Sequence, residues 1–410
     1  MKYKRKELCR IRTITIFLVL KKDRSTWKSA ISGAIRFCND LSQEFMENGY
    51  LVQSIRIVTN PFGEYLNTDS IKAATSDLET LGHLLTASDT SNLRIRFAIG
   101  EARTKQEISL LPELIRDYGD LCNACVNVGL DEFGVLDNPL IHSSVLAVSQ
   151  ISRLTPRGEG NFNFTVNFNC APLIPYFPAG YHRKELGNCF VVGLETPDLL
   201  VTALQEFNET SSLGNHNDLF KGYYEILSSA LQYHVSNVKL IIDGFDKNTD
   251  FSFSGIDSSA APSKECSSIV EVYKRLGIEY FGASGTIEAS SLLTKVFKSI
   301  KGVDLVGFSG LMLAVTEDIG LAEGTRNSDF DIRALLTYSA VCGIGLDTVP
   351  IPGNTPIAKI TSLMRDTGTM AYRLNKPLTV RLFPVPGLNA GDITSFESDD
   401  LCDCAVLNVP

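Results

Sequence analysis

Val306-Gly307-Phe308-Ser309-Gly310-Leu311, Val341-Cys342-Gly343-Ile344-Gly345-Leu346-Asp347-Thr348-Val349-Pro350 and Leu382-Phe383-Pro384-Val385-Pro386-Gly387-Leu388-Asn389-Ala390-Gly391-Asp392 are apolar runs that break into loops of Gly, Pro, Cys and Asp. Short apolar, β-branched runs that stop at Gly and Pro read as strands ending in turns. Reactive side chains gather in loops held by such a scaffold. Each run has helix signals beside it, so the stretch Asp304 to Asp392 predicts strands and helices in alternation, presenting several loops to one cavity.

Outward from there the same alternation covers nearly the whole chain, which is the pattern of an α/β fold. Strands are predicted near Ile14 to Leu20, Val52 to Thr59, Arg94 to Gly100, Leu121 to Gly129, Phe162 to Asn169, Cys189 to Leu194, Val238 to Asp243, Glu279 to Gly282, Leu305 to Leu311, Leu346 to Ile351 and Leu378 to Pro384. A helix capped by Ser25 or Thr26 runs to Glu47 and stops at Asn48-Gly49, where Asn and Gly tolerate positive φ. Further helices are predicted near Ser70 to Thr86, Lys105 to Tyr118, Leu199 to Phe207, Leu219 to Val235, Lys264 to Leu276, Ile287 to Ile300, Asp331 to Val341 and Pro356 to Leu374. No Pro-rich, Ser-rich or charge-block linker divides the chain. One domain over residues 1–395 is expected, with 396–410 as a fraying tail.

Lys and Arg number 38 against 47 Asp and Glu, and a formal charge of -9 repels a polyphosphate backbone. Nucleic acid is therefore an unfavoured partner. The run Ile14 to Leu20 is followed at once by Lys21-Lys22-Asp23-Arg24 and is far short of the ~20 apolar residues that span a bilayer. It reads as a buried strand, and no membrane association is expected. Ten cysteines scattered through apolar segments suit reduced thiols and a cytoplasmic setting. Cys122 and Cys125 share an alternating strand, and no second pair stands at zinc-site spacing.

The chemistry-bearing candidates are acids at strand ends and one histidine. Asp257, Glu317 and Asp347 could exchange protons, and Asp257, Asp318 and Asp347 could hold a divalent cation, the candidate cofactor. Against this, Asp257 in a Ser-rich loop also suits an Asx-turn, and Glu317-Asp318 suits helix-end electrostatics. His182 closes the aromatic loop Pro175 to His182, and imidazole titrates near neutrality, as a general acid or base does. Arg183 beside it could pair an anionic substrate, while Asn167 and Asn169 share one face of a strand. Cys342 is either a nucleophile or a small core residue. Gly343 and Gly345 lack the third Gly of a dinucleotide fingerprint. Asn354 and Thr355, before Pro356, open a helix whose N-H groups could cradle an anion.

At Arg12 to Thr15, Val126 to Gly129, Pro175 to His182, Gly255 to Ser263, Gly307 to Met312, Glu317-Asp318, Ser339 to Pro352, Lys376 to Thr379, Val385 to Gly387 and Ala390 to Asp392, the chain resembles the uncharacterised family called domain of unknown function 711. The resemblance implies a ten-stranded α/β barrel of two five-stranded halves, like pyruvate formate-lyase and other glycyl radical enzymes. It implies no reaction. Radical chemistry would need Gly387 or Gly391 opposite Cys342, and the surrounding residues do not look like a radical loop.

The expectation is an enzyme using acid-base chemistry on a small polar or anionic metabolite, as a lyase, isomerase or hydrolase. Its rival is a small-molecule sensor without turnover. Homo-oligomerisation is left open.

Overall fold

Thr13 to Leu18 are buried without interruption, as in a strand covered on both faces, and they form most of β1 (Arg10–Leu18). In the computed structural model, which describes residues 1–88, 93–210, 219–245 and 250–410, β1 lies inside a nine-stranded sheet. The other strands are β2 (Ser54–Thr59), β3 (Arg94–Glu101), β4 (Asn123–Val128), β5 (Phe164–Phe168), β6 (Cys189–Glu195), β7 (Ser252–Asp257), β8 (Gly345–Pro352) and β9 (Leu378–Val385). Their spatial order is β7-β6-β1-β2-β3-β4-β5-β9-β8. Strands β1 to β5 are mutually parallel; β6 and β9 run antiparallel to β1 and β5, and each has a parallel neighbour, β7 and β8.

The crossovers between β1 and β5 are α1 (Trp27–Glu47), α2 (Ile71–Ser88), α3 (Lys105–Tyr118) and α4 (Asn138–Leu154). Thr104 and Glu107 form a reciprocal capping box at α3, and Asp137 caps α4 through the Leu140 N-H at 2.9 Å. The second half carries α5 (Pro197–Thr210), α6 (Leu219–Gly244), α7 (Ile269–Arg275), α8 (Thr286–Lys298), α9 (Ile319–Asn327), α10 (Ile332–Ser339) and α11 (Ile357–Arg373).

The expected ten-stranded barrel gives way to a sheet that strand pairing does not close. Edge strands β7 and β8 do not pair with each other; both bridge to the single loop between α8 and α9. Leu305 bridges Ile256 and Ala314 bridges Asp347, through Ile256 N-H to Asp304 C=O (3.0 Å) and Val315 N-H to Asp347 C=O (3.1 Å). The run Leu305 to Leu311, expected as a strand, is this loop. Two other predicted strands are also absent. Val238 to Asp243 belongs to α6, where Leu227, Leu231, His234, Val235, Val238 and Ile242 form one buried stripe at helical spacing. Glu279 to Gly282 is a turn. Strand β7 and helix α4 were not expected, whereas α9 starts where Glu317-Asp318 suited a helix end. Residues 396–410 do not fray: Leu401, Cys404, Val406 and Leu407 are buried, and Leu407 N-H donates to Pro350 C=O at 2.9 Å.

Loop 304–316 is held from below by Asp257 at the end of β7. Its carboxylate accepts from the N-H groups of Phe308 (2.8 Å) and Ser309 (3.0 Å), and from the Ser259 N-H and hydroxyl. A Cβ on Gly307 (φ +63°) would lie 2.1 Å from Asp257 Oδ2, so glycine is needed there. Gly310 and Gly343 pack backbone to backbone in the same way, a hypothetical Cβ on Gly343 falling 2.8 Å from Gly310 Cα.

Burial pushes the Asp257 carboxyl up to about 6, with those hydrogen bonds holding it back. A folded-state value above the unfolded one means the folded chain binds the proton more tightly. This contribution is therefore complete in acid and lost as pH rises through about 6. It amounts to about 3 kcal/mol across the window from about pH 4 to 6, at about 1.4 kcal/mol per pK unit. Urea unfolding at several pH values should show this decline in the native chain and a flatter profile in Asp257→Asn.

Candidate functional site

Three successive parallel strands begin alike: Arg10-Ile11-Arg12, Ser54-Ile55-Arg56 and Arg94-Ile95-Arg96. Alternation along a strand packs each Ile against the core on one face, Ile11 and Ile55 buried and Ile95 partly so, and turns the arginines to the other. The register then sets Arg56 beside Arg96 and Thr15 beside Arg56. Further along the same face Phe17, Val58, Ala98 and Val191 make an apolar cluster, which Phe177 of the loop Pro175 to His182 fills. Polar groups return at the far end with Glu101, Asn127 and Asn167. The face thus carries two polar zones separated by a hydrophobic plug.

The arginine zone surrounds a hollow of about 40 Å³, lined by Arg12, Arg56, Arg96, Arg381, Glu317 and Asp347 together with Tyr176, Phe177, Phe308 and Met312. An adjoining hollow of about 260 Å³ shares Arg12, Arg56, Arg96 and Glu317 and forms its mouth.

The cations differ in how they are satisfied. Arg381, 4% exposed, donates from Nε to Asp347 Oδ1 at 2.7 Å and from Nη2 to Glu317 Oε1. Burial would lower its pKa, and Asp347 and Glu317 outweigh that. Arg96 pairs with Asp400, as does Arg94 at 3.0 Å. Arg12 reaches Gln53 Oε1 at 3.0 Å and Glu195 at 3.8 Å.

Arg56 is 6% exposed, and among the described residues no carboxylate stands within ion-pair distance of it. It has one long hydrogen bond to Pro175 C=O (3.4 Å), an unpartnered Nε, and the rings of Phe177 and Tyr176 at 5.2 and 5.9 Å. Burial, then the charges of Arg12 and Arg96, push it well below its usual pKa. A guanidinium does not give up its proton in a protein, so a complementary anion is what relieves this burial.

Two acids face these cations. Glu317 is raised, by burial first; Arg381 opposes the shift and Asp347 adds to it. Asp347 keeps a buried Oδ2 with no hydrogen-bond partner. One arginine thus holds two carboxylates, and burial favours the protonated form of Glu317.

Of the residues expected from sequence, Glu317 and Asp347 come together here. The others do not join them. Asp257 is saturated by backbone donors, and Asp318 caps α9, accepting from Gly320, Leu321 and Ile269 N-H and the Ser268 hydroxyl. Among the described residues no three His, Cys, Asp or Glu side chains are placed to hold a metal, so the acids assigned to a divalent cation do not fit one.

Asn167 and Arg183 belong to the opposite polar zone, where Arg183 and Asn127 pair with Glu101 and Asn167 donates to Ala179 C=O. Glu101 lies five residues beyond Arg96 on β3, about 16 Å along a strand. His182 is wholly buried beside Phe17, with neither ring nitrogen fully hydrogen-bonded. Burial pushes its imidazole down to about 4, against an opposing interaction with the Gly187 backbone. Asn169 bonds Asn375 outside the cavity. Cys342 is a buried thiol, whereas Gly387 and Gly391 are exposed, so the radical pair is not assembled. Gly343 and Gly345 are packing glycines, and Asn354 and Thr355 form a surface turn where the Thr355 hydroxyl donates to Pro352 C=O.

Sequence reasoning missed Arg12, Arg56, Arg96 and Arg381. Its available signal was an Ile-Arg pair recurring at the start of three strands.

An α/β sheet whose inner face encloses four arginines and a carboxylate pair is thus the class of protein that the fold and site define. Residues 3–397 match the family described as Uncharacterised ACR (DUF711), and the chain belongs to that family. It is similar to the UPF0210 protein of Clostridium botulinum (strain Alaska E43 / Type E3), 26% identical over 309 residues covering 70% of this chain and 63% of that one. Longer matches are to the UPF0210 proteins of Thermoanaerobacter sp. (strain X514), 24% identical over 88% of this chain and 80% of that one, and Carboxydothermus hydrogenoformans, 24% over 94% and 88%. The chain thus spans less than two thirds of the length of the clostridial relative. No helix among the described residues is long and apolar enough to cross a membrane.

Removing one member of a buried ion network leaves the others uncompensated, at a cost of about 3–5 kcal/mol. Arg381→Met should lose that much in chemical denaturation. Adding Glu317→Gln and Asp347→Asn should restore most of it.

Proposed function

We propose that this protein is an enzyme that seats a small organic anion on Arg56 and Arg12 and moves a proton on it with Glu317 and Asp347. The observation that carries this reading is Arg56, a buried guanidinium with no carboxylate partner among the described residues, in a hollow that also contains the acid pair. The inner hollow, about 40 Å³, has room for one carboxylate-sized headgroup, and the 260 Å³ mouth takes the remainder of a small molecule. Burial raises the Glu317 pKa, which favours its protonated form and makes it the acid suited to give and take back a proton. Asp347 Oδ2 is the second acceptor within reach of the same hollow. The reaction classes consistent with this are lyase, isomerase and hydrolase.

We also propose kinship with the pyruvate formate-lyase-like barrels. Its support is the five parallel strands flanked on both sides by strands of opposite sense, with one loop bridging both edges.

The same site would serve a sensor, and the small size of the inner hollow favours that second reading. Proton exchange separates the two. In D₂O, a lyase or isomerase should incorporate deuterium beside the carboxylate of at least one small acid, read by NMR, and Glu317→Gln should abolish exchange while leaving that acid's Kd within about threefold; a hydrolase should instead cleave an ester or amide of such an acid. Binding without exchange or hydrolysis across the panel would support the sensor.

Arg56→Met tests the anion seat itself. Replacing a buried ion by a well-packed apolar side chain is often stabilising by about 1–4 kcal/mol. The variant should unfold at a higher temperature than the native chain in anion-poor buffer. It should also lose the rise in Tm that small carboxylates give the native protein, worth about 2.7 kcal/mol at a hundredfold excess over Kd. A variant still stabilised by those acids would place their seat elsewhere.

A further inference from the structure

Asp400, from the C-terminal segment, stands at the mouth of the arginine hollow. Arg94 Nη1 meets its two oxygens at 3.1 and 3.0 Å, and Arg96 pairs with it as well. Burial would raise this carboxyl, and Arg96 and Arg94 outweigh that, so it is charged at neutral pH. The chain thus provides its own carboxylate for a two-arginine seat next to the Arg56 seat, since Arg56 and Arg96 are cross-strand neighbours. Adjacent strands lie about 4.8 Å apart, so the two seats are spaced for one short molecule with an acid group at each end.

Two features make Asp400 replaceable. Its backbone is held independently of its side chain: Leu401 N-H donates to Ser398 C=O and Cys402 N-H to Thr316 C=O. The carboxylate can therefore turn away while the segment stays in place. There is also room for it to turn, because Arg94, Arg96 and Asp400 line both the 260 Å³ mouth and a second hollow of about 290 Å³. Arg94 is 55% exposed and Asp400 23%, so that contact is screened by water and weak; Arg96, 16% exposed, makes the firmer contact.

We propose that the ligand of this site is a small dianion, one acid group on Arg56 and Arg12 and the other on Arg94 and Arg96 in place of the Asp400 carboxylate. This inference rests on the anion seat assigned above. The Asp400 side chain then competes with the ligand for the outer seat: a tethered acid group displaces it because its effective concentration there is high, and the displacement takes away part of the affinity gained from the second acid group.

Calorimetric titration of the full chain with glutarate and with propionate tests it. The native protein should bind glutarate more tightly. In Asp400→Asn the ratio of glutarate to propionate affinity should rise about tenfold. Adding Arg94→Gln should remove that gain without changing propionate binding, and Arg94→Gln in the native background should weaken glutarate alone. A ratio unchanged by Asp400→Asn, with propionate still bound and still dependent on Arg56, would overturn the dianion assignment and leave the anion seat standing. Failure of both acids to bind the native chain would overturn both.

Discussion

A guanidinium taken out of water without a counterion is the constraint around which this molecule is organised. Arg56 sits on the second of five parallel strands, with Arg12 and Arg96 beside it and aromatic rings over it. Like charges gathered in a low-dielectric interior cost free energy that the fold must offset elsewhere. Part of the offset is visible. Arg381 is neutralised by Glu317 and Asp347, and Arg96 by Asp400. Arg56 is left over, and an uncompensated group of this kind in a cavity marks a binding site more than a structural one.

The second half of the chain is shaped to complete that interior. Loop 304–316 touches both edges of the open sheet and delivers Glu317 at its end. Asp257 fixes its start through backbone N-H groups, and glycines at 307, 310 and 343 let the chain pass close to its neighbours. Strands β8 and β9 bring Asp347 and Arg381 from the opposite direction. The C-terminal segment seals the mouth with Asp400. Four separate stretches of chain thus converge on one hollow.

Much of the scaffold was legible in the sequence, because β1 to β6, β8 and β9 are short apolar runs between marked helices. The errors have local causes. Val238 to Asp243 has the composition of a strand, and only the buried stripe along α6 shows its helical period. Strand β7 contains Gly255 and polar Ser252 and Ser254, so it lacks the apolar run that identifies the others. In the site, Glu317 and Asp347 were legible as acids at loop ends. Asp257, Asp318 and His182 looked equally chemical because sequence does not reveal that backbone donors saturate the two acids or that an apolar plug surrounds the histidine. The arginines were overlooked because a charged residue in a strand reads as solvent-facing until the sheet's inner face is known to be polar.

The account stands on an anion occupying the space beside Arg56. Anomalous diffraction from crystals of the full chain grown in bromide tests this most directly, since bromide is a small anion located by its own scattering. The account predicts a strong peak within hydrogen-bonding distance of the Arg56 guanidinium in the inner hollow. Bromide found only on the outer surface, with the hollow filled by side chains or water alone, would contradict it.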